Sequence, residues 1–133
     1  MTVTHTNILS VEDYCRLRKT TGWYEIPEDV VRKALAKSDY VVSAIVDGTT
    51  VGMARLIIDG VQALVMDVIV HPDYQGKGIG KSLMRHIVQH VENTYDRGVL
   101  INLMTLEKNT GFYETLGFGR LSVDGVIAMR LQS

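Results

Sequence analysis

Alternating glycines give this chain its clearest chemical feature. The segment 68–82 reads VIVHPDYQGKGIGKS, in which an apolar run typical of a strand is followed by Gly76, Gly78 and Gly80 and then by a helical pattern. Glycine has no Cβ, so a ligand can approach its backbone closely. Backbone N–H groups at the start of a helix bind phosphate, because they have no partner inside the helix and lie at its positive end. The segment therefore predicts a site for a phosphorylated cofactor.

Two nucleotide-binding motifs nearly match this loop, and each fails by one residue. A Walker A motif ends as residues 80–82 do, in Gly-Lys-Ser, but its first glycine would fall at Gln75. The dinucleotide fingerprint Gly-x-Gly-x-x-Gly would require glycine at Lys81 or Leu83. ATP and NAD are therefore not the predicted ligands, although the Gly-Lys-Ser ending keeps a P-loop nucleotide binder as an alternative.

A third motif, [Gln/Arg]-x-x-Gly-x-[Gly/Ala], does fit the loop, at Gln75, Gly78 and Gly80. Further along, the segment 111–118 reads GFYETLGF, which is similar to a Phe-Tyr-x-x-x-Gly-Phe signature. With these two motifs in the right order and spacing, the chain resembles the GNAT superfamily of acetyl-CoA-dependent N-acyltransferases, over roughly residues 40–118 and more loosely throughout. The resemblance implies acetyl-CoA as co-substrate and an acyltransferase activity.

The elements that must position these motifs form a mixed α/β pattern in the order β-α-α-β-β-β-α-β-α-β. The resemblance implies the GNAT fold, a mixed and mostly antiparallel sheet flanked by helices. We predict strands at 2–9, 40–46, 51–58, 61–70, 99–104 and 121–131, with helices at 10–19, from Pro27, at 79–91 and at 107–116. Asp47-Gly48 predicts a hairpin whose loop Thr49 and Thr50 make slightly longer. At 133 residues, the chain is predicted to be a single domain, 1–133.

By resemblance, the loop and the strand before it hold the cofactor. Backbone N–H groups from the loop bind the pyrophosphate, and the pantetheine arm pairs with the strand end where the fourth and fifth strands splay apart. The family's asparagine falls at Leu106, so a cofactor role for Asn109 competes with a helix-capping role. The implied cofactor residues are Val68, Ile69, Val70, Gln75, Gly76, Lys77, Gly78, Ile79, Gly80, Lys81, Ser82, Asn109 and Phe112.

Proton transfer is the chemistry that the remaining site residues must supply. A free alkylamine is mostly protonated at neutral pH and must lose a proton before it attacks a thioester. Tyr113 matches the family's general acid, which protonates the departing sulfur. Asp67, inside an apolar strand, is the first candidate for a base or an amine anchor, with a structural carboxylate as the alternative. His71, Glu25 or a chain of water molecules could serve as base instead.

The acceptor is expected between the first two helices, where Trp23 and Tyr24 lie. Aromatic side chains there could hold an apolar or cationic amine, although Trp23 could equally pack on the sheet. Arg55 could bind a carboxylate of the substrate or lie on a solvated face. These three residues form the tentative substrate set, and a small-molecule amine is the predicted acceptor. A peptide or protein amine, and a non-catalytic acyl-CoA-binding module, remain the alternatives.

Composition limits the partners and the setting. A net charge of −1 and a pI near 6.4 do not predict a nucleic-acid surface. The N-terminal residues lack a signal-peptide pattern, and no apolar run is long enough to span a membrane. The single cysteine, Cys15, suits a reducing cytoplasm. His86 and His90 lack a third metal ligand and are predicted to be solvated helix surface, so no metal is expected. The resemblance also admits a homodimer.

Overall fold

The computed structural model describes residues 1–96 and 98–132. Within these ranges, five strands form one sheet in the order β1-β2-β3-β4-β5. The elements are β1 (Thr4–Thr6), α1 (Val11–Lys19), α2 (Glu28–Lys37), β2 (Tyr40–Val46), β3 (Thr49–Ile58), β4 (Gln62–Val70), α3 (Ile79–Thr94), β5 (Leu100–Leu103) and α4 (Thr110–Glu114). Neighbouring strands from β1 to β4 are antiparallel, whereas β4 and β5 are parallel. The predicted mixed, mostly antiparallel α/β sheet is confirmed.

The β2–β3 hairpin is tighter than the sequence prediction. Its loop consists of Asp47 and Gly48, and both have positive φ angles, of 50° and 76°. Positive φ at both central residues is the geometry of a two-residue turn whose twist matches that of the flanking strands. Thr49 and Thr50 therefore belong to β3 and do not lengthen the loop.

The prediction of a last strand within 121–131 is wrong. Leu121–Asp124 form a short 3-10 helix, and residues 126–132 have no regular structure. In this segment Ile127 and Met129 are exposed, at 75% and 93%. An alternating apolar pattern expresses strand propensity, but a strand forms only when an edge pairs with its backbone. The predicted helix at 107–116 is likewise shorter, a 3-10 turn at Glu107–Asn109 followed by α4.

The core that fixes the glycine loop is the interface between α3 and the sheet. The buried face of α3 follows the helical period through Ile79, Leu83, Met84, Ile87 and Val91. It packs against β2, β3 and β4. A Cβ on Gly52 of β3 would lie only 3.1 Å from Leu83 Cδ1, so glycine lets the helix approach the sheet closely. Helices α1 and α2 cover the other face, around Tyr14, Leu17, Val31, Met53 and Ile69.

The histidines of α3 pack on aromatic rings, and their prediction as solvated surface is wrong. His86 stacks on His5 of β1 with the ring centroids 4.3 Å apart, and His90 stacks on Tyr40 of β2 at 4.0 Å. Both histidines are half-buried. The prediction of solvation rested on the lack of a third metal ligand, and it missed His5 and Tyr40, which lie far away in the chain and cover the two rings. In the described residues, no group of three His, Cys, Asp or Glu side chains is placed to hold a metal ion.

The His5–His86 stack predicts that acid destabilises the fold. Burial lowers the pKa of the His5 imidazole from its ordinary 6.5, and the His86 ring lowers it further. The unfolded chain therefore binds this proton more tightly, so the stability present above about pH 6.5 is lost as the pH falls towards the lowered pKa. His5→Phe keeps a ring for stacking but cannot titrate. Its melting temperature should depend less on pH between about 7 and 5.5 than that of the wild type, and equal slopes would contradict this.

Candidate active site

A cleft opens where β4 and β5 part. The two strands pair from Gln62 and Leu100 to Val65 and Leu103. β5 ends there, whereas β4 continues to Val70. Beyond Val65, the edge of β4 that faces β5 has no neighbouring strand among residues 1–96 and 98–132. This edge presents backbone N–H and C=O groups that an extended, amide-containing ligand can pair with.

A β-bulge bends β4 at the mouth of this cleft. Met53 pairs with Ile69 and Arg55 pairs with Met66, so Asp67 and Val68 together face the single residue between Met53 and Arg55. Asp67 has a φ of 55°, a left-handed conformation that non-glycine residues seldom adopt. Such backbone strain persists only where surrounding contacts hold it in place.

Asp67 is held by three donors from distant parts of the chain. The hydroxyl of Tyr14 donates to Oδ2 at 2.8 Å, Arg55 Nε donates to the same oxygen at 2.7 Å, and Arg18 Nη1 donates to Oδ1 at 3.1 Å. The three charged side chains are 10–14% exposed. Burial, followed by the negative charge of Asp67, raises the pKa of Tyr14 to about 12, so its hydroxyl stays a donor. We call these four residues the Asp67 cluster.

The predicted acid, Tyr113, lies across the cleft from Asp67. A cavity of about 90 Å³ separates the β4 side from the α4 side. Its lining residues are Trp23, Val65, Asp67, Val68, Leu103, Met104, Thr105, Leu106, Asn109 and Tyr113. Five of the predicted site residues thus meet here. Arg55 is absent from this lining because its guanidinium lies on Asp67, and Tyr24 is 77% exposed.

Residues 103–106 form one wall of the cavity, and the sequence analysis did not predict this. Met104 and Leu106 are 60% and 53% exposed although both are large and apolar. The available signal was their position directly after the strand that parts from β4. Exposed apolar side chains at such a place are typical of a ligand groove.

Tyr113 has the properties of a proton donor. Burial raises the pKa of its hydroxyl, so the phenol remains protonated at neutral pH. Its ring meets Phe112 edge-on at 4.9 Å and Phe118 at 6.0 Å between centroids. Phe112 in turn reaches the glycine loop, since its Cζ lies 3.3 Å from where a Cβ on Gly80 would stand. Gly80 therefore allows α4 and the loop to pack together.

The glycine loop forms an open anion cradle at the start of α3. Gly76 and Gly78 have φ angles of 78° and 83°, and a Cβ added to either would meet no atom within 4 Å. Gly78 is the N-cap of α3, a helix of 16 residues, so the first N–H groups of the helix face this space. The Gln75 side chain donates to the carbonyl of Val70 at 2.9 Å and ties the loop to β4.

The side chains of three predicted cofactor residues differ in whether they are available to a ligand. The side chain of Ile79 is buried in the core, at 2% exposure. The Ser82 hydroxyl donates to the Ile79 carbonyl at 2.7 Å and lies 2.8 Å from Nε2 of His5. A bond from Ser82 to a pyrophosphate stays a prediction and would compete with these contacts. Asn109, at the N-cap of α4, makes no side-chain capping bond, so its amide is available to the cavity that it lines.

Comparison with known proteins decides the family. The family model for the GNAT acetyltransferase domain matches residues 37–120. The uncharacterized N-acetyltransferase ycf52 of Pyropia yezoensis is 33% identical over 131 residues, which are 92% of this chain and 70% of the relative. The chain belongs to the GNAT acetyltransferase family. It is also similar to a GNAT family acetyltransferase from Streptococcus pneumoniae, at 32% identity and a TM-score of 0.81, over 99% of this chain and 97% of that one.

The chain is also similar to a relative that is named for its acceptor. Serotonin N-acetyltransferase 2 of Oryza sativa, a chloroplastic protein, is 36% identical over 103 residues. The match covers 73% of this chain and half of the rice protein.

The GNAT family uses acetyl-CoA as co-substrate, and the described residues fit that molecule. The cradle of Gly76 and Gly78 has the room and the N–H donors that a pyrophosphate requires. The open edge of β4 suits the amides of pantetheine; Val65 and Val68 of this strand line the cavity with Tyr113, and Val70 at its end is bonded to Gln75. Within residues 1–96 and 98–132, the structure contains no candidate for a membrane-spanning helix.

Proposed function

We propose that this GNAT domain transfers the acetyl group of acetyl-CoA to the primary amine of a small molecule, by direct attack within a ternary complex. One observation carries the proposal: the open edge of β4 extends from the cavity that the half-buried Tyr113 lines to Val70, which the Gln75 side chain ties to the glycine cradle. Such an arrangement can bind a phosphorylated thioester at one end and protonate a thiolate at the other.

The proposed binding roles follow the geometry of the cleft. Backbone N–H groups from Gln75 to Lys81 bind the pyrophosphate, and Val68 to Val70 pair with pantetheine. The Asn109 amide, which lines the cavity, offers a further hydrogen bond, and Phe112 packs beside Gly80. Lys77 and Lys81 are exposed and add positive charge beside the cradle.

Tyr113 is proposed as the general acid. The raised pKa of its hydroxyl keeps a proton available for the sulfur as the thioester bond breaks. The amine loses its proton to water or to an exposed base. His71 is 30% exposed, and its Nδ1 accepts a bond from the backbone of Asp73, so it also caps the turn after β4. Glu25 lies exposed in the segment before α2.

Asp67 is proposed as a structural anchor of the bulge instead of a base. Its oxygens already accept three hydrogen bonds, two of them from guanidinium groups. Both carboxylate oxygens are thus already engaged by donors, which leaves them poorly placed to bond to an incoming amine. The two guanidinium groups also neutralise the charge that would attract a cationic amine.

Asp67→Asn separates the structural role from the basic role. Removing the charge leaves two arginines buried without a full partner, so the free energy of unfolding should fall by about 3 kcal/mol in urea titrations. Asp73→Asn is the control because the Asp73 side chain is 83% exposed, and its effect should stay below about 0.5 kcal/mol. Unchanged stability with abolished acetyl transfer would instead identify Asp67 as a base.

Isothermal titration with acetyl-CoA tests the co-substrate. We expect a dissociation constant in the micromolar range and no competition by ATP or NAD, because the loop lacks a glycine that each of their motifs needs. No binding at about 1 mM acetyl-CoA would refute the proposal. Competition by ATP but not by CoA would restore the P-loop alternative.

The arylalkylamines are the first acceptor class to assay. The rice relative is named for serotonin, which is an arylalkylamine. In this chain Trp23 lines the cavity and is 43% exposed, so an aromatic ring has apolar surface to lie against. A peptide amine and a homodimer are alternatives that the same protein preparation can test, and a cytoplasmic setting stays a proposal.

A further inference from the structure

The acceptor side of the cavity depends on a segment that has no regular structure. Residues 20–27 join α1 to α2 and contain no helix or strand. The segment supplies Trp23 to the cavity lining, yet Trp23 is 43% exposed and Tyr24 is 77% exposed. Burial in the core therefore does not hold these two side chains in place.

Arg18 makes the contacts that hold them. Its guanidinium carbon lies 5.1 Å from the ring centroid of Trp23 and 5.1 Å from that of Tyr24. Its Nε donates weakly to the Tyr24 carbonyl at 3.4 Å. Its Nη1 donates to Asp67 at 3.1 Å, and the side chain is only 12% exposed. One planar cation thus contacts both the aromatic segment and the β4 bulge.

We infer that Arg18 is a positioning residue for the acceptor, which fixes the Trp23 wall against the Asp67 bulge before the amine binds. This inference rests on the proposed function. A wall that is already ordered does not have to lose side-chain freedom when the acceptor binds, so it improves binding of the amine without touching the acetyl group.

The position of Arg18 also limits the acceptor chemistry. A guanidinium already occupies the ring faces of Trp23 and Tyr24 that point towards α1. Those two ring faces cannot also bind an ammonium group. The remaining exposed surface of residues 20–27 favours an acceptor whose body is apolar or aromatic.

Fluorescence quenching tests the positioning without any substrate. Trp23 is the single tryptophan of the chain, so all tryptophan emission comes from this segment. In Arg18→Met, quenching by acrylamide should become about twofold more efficient, because the indole gains access to solvent. Lys19→Met removes a positive charge from an exposed position of the same helix and should leave quenching unchanged. Equal quenching in all three proteins would overturn the inference.

Arg18→Lys separates positioning from folding. It keeps a positive charge beside Asp67 but lacks the planar group that contacts both rings. It should therefore melt close to the wild type and still show the stronger quenching. Wild-type quenching in Arg18→Lys would overturn the role of the planar contacts.

Steady-state kinetics test the effect on the acceptor. With tryptamine as the amine, Arg18→Met should raise KM about tenfold and change kcat less than about threefold, with an unchanged dissociation constant for acetyl-CoA. An unchanged KM, or a matching loss of acetyl-CoA affinity, would refute the acceptor role. If the wild type acetylates no amine, the proposed function fails, and the quenching comparison still decides whether Arg18 positions Trp23.

Discussion

Replacing Tyr113 by phenylalanine should lower kcat by about 100-fold or more, with the dissociation constant of acetyl-CoA within about threefold of the wild-type value. The phenol is the half-buried donor on the α4 side of the cavity, and burial raises the pKa that keeps it protonated. Phenylalanine keeps the ring contacts with Phe112 and Phe118 and removes only the proton. The measurement is the rate of CoA release at saturating acetyl-CoA.

Tyr95→Phe is the matched control for this change. Tyr95 follows the end of α3, and its ring lies against Gly60, just before β4 begins and away from the open edge. The Tyr95→Phe variant lacks a tyrosine hydroxyl, as Tyr113→Phe does, and should keep the wild-type kcat. If Tyr113→Phe also kept the wild-type rate, a general-acid role for Tyr113 would be excluded.

The second large effect is expected at the glycine cradle. In Gly78→Asp, a carboxylate stands at the N-cap of α3, within about 5 Å of a bound pyrophosphate, and the repulsion of about 3 kcal/mol weakens binding by 100-fold or more. The φ of 83° at Gly78 also strains any residue with a side chain, so the loss of affinity has to be compared with that of an uncharged variant of the same shape.

Gly78→Asn controls for size and backbone strain. Asparagine and aspartate have nearly the same shape, and both adopt positive φ more readily than other residues with a side chain. Asparagine should therefore weaken acetyl-CoA binding much less than aspartate, as titration calorimetry can measure. Equal affinities for the two variants would show that the anion does not bind at this helix start.

The prediction for the cofactor half of the proposed site rests on short-range signals. Gln75, Gly78 and Gly80 predict a phosphate-binding loop because such a loop depends on local backbone geometry and on the helix that follows. The hairpin at Asp47-Gly48 was predictable for the same reason, since both residues favour positive φ.

The acceptor half was less predictable because distant residues build it. Asp67 lies 49 and 53 positions from its partners Arg18 and Tyr14, and no local pattern joins them. His5 and Ser82, which meet at the start of α3, are 77 positions apart. The bulge at Asp67 follows from those partners rather than from the apolar sequence of β4. The predicted last strand is absent because residues 126–132 pair with no strand, and an alternating apolar pattern alone does not form one.

The most direct test of the account is acetyl transfer itself. The protein is incubated with acetyl-CoA and a panel of small primary amines, and both the free CoA thiol and the acetylated amine are measured. The account predicts release of CoA that depends on an amine and matches the acetylated product in amount, with the loss in Tyr113→Phe described above. Tight binding of acetyl-CoA without amine-dependent release of CoA would contradict it and would indicate a non-catalytic acyl-CoA-binding module.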